Sequence, residues 1–140
     1  MNTATDAAKS PLQAGLEGTA SATVTPALTA PVMGSGTVTV YATPSMIALM
    51  EAAAVACVEQ HLTPGQATLG VQLDVSHTAA TPPGMSVSAK ATLTAVDGRK
   101  LTFEIEARDE VEVIGRAKHT RIVVDTNRFN AKVASKQPKA

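Results

Sequence analysis

Glu51 stands inside the apolar run Met46 to Val58, and a carboxylate placed there is costly unless it has partners or a task. Eight residues earlier lies Thr43, and further on His77 ends an alternating apolar stretch with Leu69, Val71, Leu73 and Val75. An acid, an imidazole and a hydroxyl are groups that general acid–base or nucleophilic chemistry uses when they meet at one site. Each also has a plain structural reading. A histidine on an apolar strand face is more often a satisfied core residue than a catalyst. Thr43 followed by Pro44 reads as a helix N-cap and first turn. Glu59 reads as a solvated helix acid. Glu51 favours a function, because apolar residues flank it at three- and four-residue spacing. Gly115, Ala117, His119 and Arg121 share one strand face by alternation, and Arg121 there suits either an ion pair or an anionic or carbonyl group.

Other chemistries lack their signatures. Cys57 and His61 lie one helical turn apart, and two ligands do not make a zinc site. No glycine-rich nucleotide loop and no Gly-x-Ser-x-Gly elbow occurs. No metal and no cofactor is expected.

The elements that must position these groups follow from pattern. Tyr41 to Leu62 reads as one helix, rich in Ala, Leu and Met, apolar on nearly every side and closed by Thr63-Pro64-Gly65. Ile47, Glu51, Ala54, Val55 and Val58 share one of its faces. Thr19–Thr25 and Thr37–Tyr41 read as short strands, separated by a loop over 26–36. Four strands follow. The first carries the face ending at His77, and Val87, Ala89, Ala91, Leu93 and Ala95 line the second. Leu101, Phe103, Ile105 and Ala107 line the third, after a hairpin signal at Asp97-Gly98. The last runs from about Glu112 to Val124. One helix enclosed by an antiparallel sheet is an α+β arrangement. A sheet covers only part of a helix that is apolar all round, so a second copy of the chain is expected to cover the rest, as a homodimer.

The 140 residues fit one domain, read as a flexible tail over 1–18, a domain over 19–128 and a polar, basic tail over 129–140. Aromatic residues make up only 2%, so the core must be aliphatic. Twelve basic and twelve acidic residues leave no net charge, which argues against a nucleic-acid partner. Cys57 is the single cysteine, compatible with a reducing compartment. Met1 to Glu17 holds no signal-like core, and Met46 to Val58 is too short to span a bilayer. A soluble, cytoplasmic protein without membrane contact is the expectation.

Several segments together resemble a known family. They are Ala42-Thr43 with Glu51 in Leu49-Met50-Glu51, Thr68-Leu69-Gly70, and the block His77-Thr78-Ala79-Ala80-Thr81-Pro82-Pro83-Gly84. Glu112-Val113-Ile114-Gly115, His119-Thr120-Arg121 and Phe129-Asn130-Ala131-Lys132-Val133 complete the set. From about Thr37 to the C-terminus the chain resembles the fluoroacetyl-CoA thioesterase branch of the hot-dog-fold thioesterases. The resemblance implies a hot-dog fold, in which an antiparallel sheet wraps one long central helix, and a dimer with active sites at the interface. It implies hydrolysis of an acyl-CoA thioester by Thr43, Glu51 and His77, with Gly70 and Arg121 near the thioester. Members selective for the fluorinated substrate carry a phenylalanine lid before the threonine. Here Gly34 to Val40 contains no Phe, so a small acyl-CoA is the expected substrate. A non-catalytic acyl-CoA binding protein and a hot-dog dehydratase are the rival readings.

Overall fold

The computed structural model describes residues 11–138. A five-stranded antiparallel sheet is built from β1 (Glu17–Thr23), β2 (Gln66–His77), β3 (Ser86–Asp97), β4 (Lys100–Asp109) and β5 (Val113–Asp125), in the spatial order β1-β3-β4-β5-β2. A short helix, α1 (Ala30–Met33), and the long helix α2 (Thr43–Val58) lie between β1 and β2. A third helix, α3 (Thr126–Ala134), follows β5 directly.

α2 packs chiefly on β1 and β3 and barely on β2. Met46, Leu49, Met50, Ala53, Ala54, Cys57 and Val58 form its buried side, against Val87, Ala89, Ala91, Leu93, Leu101, Phe103 and Ile105. Gly18 is where β1 crosses the helix: a side-chain carbon there would overlap the Cys57 backbone nitrogen, so only glycine permits the approach. Ala48, Ala52 and Ala56 form an exposed stripe along the helix, with Thr43, Ile47, Glu51 and Val55 beside it. β2 is an edge strand, so one of its sides has no partner strand among the described residues. A long apolar helix with one open side and the long open edge of β2 are surfaces that the described residues leave unfinished, and the shorter β1 forms the other edge of the sheet.

Several sequence expectations need correction. Thr37–Tyr41 is not a strand: the segment bends, and Tyr41 makes only an isolated bridge to Thr29. Its alternation favours a strand, but no neighbouring strand is available to pair with it. Within the expected loop over 26–36, a 3-10 turn (Pro26–Leu28) and α1 form. The expected C-terminal tail is helical from Thr126, because Asp125 caps the helix by accepting from the Arg128 N–H at 3.0 Å. Of the expected N-terminal tail, residues 1–10 lie outside the described residues. Leu12 and Leu16 pack on the core, and the Gly15 N–H donates to the Leu93 carbonyl. The hairpin turn is Gly98-Arg99, one residue later than its signal, with Gly98 at φ +59°. Glycine at the first central position is what a type II′ turn requires.

Two irregularities decide which side chains face the helix. β3 shifts register between Leu93 and Ala95, so Ala95 is exposed rather than aligned with Leu93. β2 shifts between Gly70 and Gln72. Beyond the shift Leu73, Val75 and His77 pair with the inward His119, Ala117 and Gly115 of β5. Before it, Thr68 and Gly70 pair with the inward Val123 and Arg121. The extra residue reverses the alternation. Leu69 and Val71 therefore do not share the face of His77, and Val71 is 59% exposed.

Candidate active site

Thr43 begins α2, with Ala42 as the N-cap and Pro44 in the first turn. The expected capping role of Thr43 is not seen: no side-chain cap bond forms. Its hydroxyl lies instead 2.7 Å from Nδ1 of His77, the last residue of β2. The imidazole stands edge-on to Tyr41, with ring centroids 6.5 Å apart. Tyr41 is buried, its hydroxyl donates to the Ser45 carbonyl, and burial pushes its pKa up to about 12. Burial also lowers the His77 pKa, while the Ala79 backbone raises it, so the neutral ring is favoured. Nε2 of His77 is buried with no hydrogen-bond partner among the described residues. The ring meets the surroundings through Nδ1 and the exposed Thr43 hydroxyl.

The segment after His77 is anchored from behind. Thr81 is fully buried, donates to Asp109 Oδ2 at 2.8 Å, and offers its carbonyl to the Tyr41 N–H. Asp109 Oδ1 accepts from the N–H groups of Val111 and Glu112. Burial would raise the Asp109 pKa, but these donors, Thr81 and Arg108 outweigh it and hold the carboxyl below its ordinary value. A pocket of about 290 Å³ opens in front of Thr43 and His77, walled by Ala30, Ser35, Val40 and Ala79.

The second group forms around Glu51. Its Oε2 accepts from Arg121 Nη1 at 3.0 Å. Arg121 is only 6% exposed and is held by Thr68, its Nε donating to Oγ1 at 2.9 Å and its Nη2 to the carbonyl at 3.0 Å. Gly70 sits against the carboxylate: a side-chain carbon there would stand 2.6 Å from Oε2. His119 completes the group, with Nε2 3.1 Å from Arg121 Nη1 and 3.8 Å from Glu51 Oε2.

The structure thus joins Thr43 to His77, and Glu51 to Gly70 and Arg121, but does not join the two groups within one chain. Eight helical residues separate Thr43 from Glu51, a rise of roughly 12 Å. Thr68 and His119 escaped the sequence reading as members of the Glu51 group. His119 carried a signal, since it shares a small-residue face with Arg121. Thr68 carried none, because its inward placement depends on the irregularity in β2. The larger concavity, about 590 Å³, lies elsewhere, among Lys90, Glu104, Glu106, Arg116 and Lys118. Its charges face one another across strands, Arg116 bonding Glu106 at 2.6 Å, and none of the site residues lines it. Among the described residues no three His, Cys, Asp or Glu side chains converge on a metal position, and no helix is long and apolar enough to cross a membrane.

Comparison with known proteins matches this arrangement to one family. A model of that family, described as FlK, fluoroacetyl-CoA-specific thioesterase, matches residues 24–127. The fluoroacetyl-CoA thioesterase of Streptantibioticus cattleyicolor is 46% identical over 99 residues, 71% of each chain. A solved structure of the fluoroacetyl-CoA thioesterase FlK superposes with a TM-score of 0.87 at 37% identity, covering 92% of this chain and all of that one. A hypothetical protein of Thermus thermophilus, described as a thioesterase superfamily member, superposes with a TM-score of 0.82 at 27% identity, over 89% and 92% of the two chains. The sheet, the long helix and these matches establish the hot-dog fold, and the chain belongs to the fluoroacetyl-CoA-specific thioesterase family.

Proposed function

We propose that this chain hydrolyses a small acyl-CoA thioester at a site shared between two copies. Thr43 and His77 of one protomer would face Glu51, Gly70 and Arg121 of the other. The observation that carries this reading is the division into two groups, each tightly bonded, which one chain holds roughly 12 Å apart along α2. β2 supplies the means of joining them. It is an open edge bearing Gly70 towards one end and His77 at the other. A two-fold axis passing at Asp74 would lay β2 antiparallel to its copy and, with Val71 taken up as the extra residue, would set His77 opposite the partner's Gly70. The same pairing would cover the open side of α2.

Hydrolysis of a thioester passes through an oxyanion and expels a thiolate. Arg121 engages Oε2 of Glu51, leaving Oε1 for the reaction. That oxygen takes a proton from water as the water adds to the carbonyl; if it adds to the carbonyl itself, the acyl–Glu51 anhydride left when the thiolate departs is cleaved by water, which frees the carboxylate and supplies the balancing proton. The Gly70 backbone N–H would donate to the oxyanion, since glycine permits close approach. The carbon–sulfur bond then breaks, and the thiolate takes a proton through the Thr43 hydroxyl, with the imidazole as the second member of the relay. The proton gained by Glu51 replaces the one the relay gives up. One water is consumed, and acid and thiol are released. Pocket size and the absence of phenylalanine from Gly34 to Val40 favour a small acyl group without selectivity for fluorine. A soluble, cytoplasmic setting suits this substrate.

Complementation tests the proposal. Glu51→Gln and His77→Ala should each lose most release of thiol from acetyl-CoA while remaining dimeric by light scattering. Mixed after reversible dissociation, the two variants should recover about one quarter of wild-type activity, because half the dimers are mixed and each has one intact site. No recovery from verified mixed dimers would place the site within one chain.

A further inference from the structure

His119 takes no part in the relay, yet it is the more enclosed imidazole, 2% exposed and 6.1 Å from the Phe103 ring centre. Its Nδ1 lies 2.7 Å from the Gln72 carbonyl oxygen. A carbonyl only accepts, so Nδ1 carries the proton. Its Nε2 lies 3.1 Å from Nη1 of Arg121. A guanidinium only donates, so Nε2 is the acceptor. The partners therefore fix one state, a neutral ring protonated at Nδ1. The charged groups facing the ring are Glu51 from α2 and Arg121 from its own strand; β2 contributes the Gln72 carbonyl and Gly70, and β4 the Phe103 ring. Burial lowers the pKa of the ring; the Gln72 carbonyl opposes this, Arg121 adds to it, and Glu51 opposes it.

The donors of Arg121 are divided with little to spare. Nε and Nη2 each donate to Thr68, while Nη1 has two hydrogens and two acceptors, Glu51 Oε2 and His119 Nε2. Thr68 fixes the guanidinium on one side, and the imidazole lone pair fixes it on the other. With that lone pair in place, one Nη1 hydrogen is directed to His119 and the second to the carboxylate.

We infer that His119 is a positioning residue: its unprotonated Nε2 holds the Arg121 guanidinium in the orientation that clamps Glu51, and protonation of the ring releases the clamp. This rests on the thioesterase reading. It adds a requirement on a group outside the proposed relay.

Three variants of the full chain, assayed by thiol release from acetyl-CoA, separate the two ring nitrogens. His119→Gln sets an amide oxygen near the Nε2 position and keeps an acceptor for Arg121. His119→Asn sets an amide nitrogen near Nδ1, keeps the donor to Gln72 and offers Arg121 nothing. His119→Ala removes both. The Asn and Ala variants should lose about tenfold to a hundredfold in kcat, the worth of a hydrogen bond to a charged group, with KM little changed. The Gln variant should stay within about threefold of wild type and lose any fall in kcat on the acid side that arises from His119. In ¹⁵N spectra of the wild type at pH 7, His119 should show protonated Nδ1 and bare Nε2. Equal losses in the Gln and Asn variants, following their melting temperatures, would overturn the inference, as would protonated Nε2. If the wild type releases no thiol from any acyl-CoA, the thioesterase reading fails. The spectrum and the melting temperatures would still decide whether His119 holds Arg121.

Discussion

Gly70→Ala separates folding from catalysis at a single methyl group. A side-chain carbon at 70 would stand 2.6 Å from Glu51 Oε2, where ordinary contact begins at 3.4 Å, so the carboxylate must withdraw by about 0.8 Å. The same carbon would press on His119 Cε1 at 3.1 Å and Arg121 Nη1 at 3.2 Å. Those two are buried and held by other bonds, whereas the Glu51 side chain is 42% exposed and can move. Withdrawal away from Arg121 lengthens their 3.0 Å bond beyond hydrogen-bond reach. Gly70 has no positive φ, so alanine brings no backbone strain, and it gains about 0.5–1 kcal/mol over glycine within a strand. The lost bond to the buried Arg121 costs about 1.5–3 kcal/mol and outweighs that gain, so the fold should be weakened only modestly. A displacement of this size at a reacting group costs about a hundredfold in rate. The assays are thermal unfolding and the steady-state rate of thiol release from acetyl-CoA. The expected result is a Tm lowered by only a few degrees with kcat/KM lowered by about two orders of magnitude. Near wild-type turnover would refute the reasoning, because the carboxylate would then not need its observed place. Loss of the fold together with the rate would refute it differently, by showing that the contact is not relieved by Glu51. Gly18→Ala gives the contrast: its new carbon meets Cys57 and Ala53 backbone, which cannot yield, so the fold itself should fail.

Two further outcomes follow from the buried network. His77 and His119 both titrate below the ordinary imidazole value of 6.5, chiefly because burial disfavours the charged ring. A depressed folded value means that the unfolded chain binds protons first, so their contribution is complete above pH 6.5 and is lost as pH falls from there through the folded values. Tm should be level above about pH 7 and decline below it; a profile level down to pH 5 would contradict this. Thr81→Val removes the donor to Asp109 and should cost about 1–3 kcal/mol in urea unfolding, while a cost near zero would mean the anchor behind His77 is dispensable.

What could be read from the sequence, and what could not, divides along a physical line. Pro44 marks the start of α2 from residue type alone, whereas its α-helical part ends at Val58, short of the expected Leu62, and gives way to a 3-10 turn over Glu59–His61; the alternation of Leu101, Phe103, Ile105 and Ala107 identified their buried face. Glu51 and Arg121 stood out by residue type and spacing and Gly70 through the family resemblance, and the three lie together. The errors arose where tertiary partners outweigh local preference. Thr43 is a good capping residue, yet a histidine 34 residues away takes its hydroxyl. Val38 and Val40 have strand preference but no strand to pair with. The helix from Thr126 is short and mostly exposed, and only Phe129 and Val133, one turn apart, hint at an apolar face, although Asp125 is a capping signal. Leu69, Ala95 and Val71 were misplaced because a register shift leaves no mark in hydrophobicity.

The shift in β2 governs how relatives of this protein should be judged. The chain length between Thr68 and Leu73, more than the chemistry of any side chain there, turns Thr68 and Gly70 towards Arg121. A relative that keeps every site residue but has a one-residue deletion at this point would present its Gly70 equivalent to solvent. It would then need another way to seat its cation. A gap in an alignment at Val71 is accordingly a better guide to shared chemistry than overall identity, and deletions threaten this site more than substitutions do.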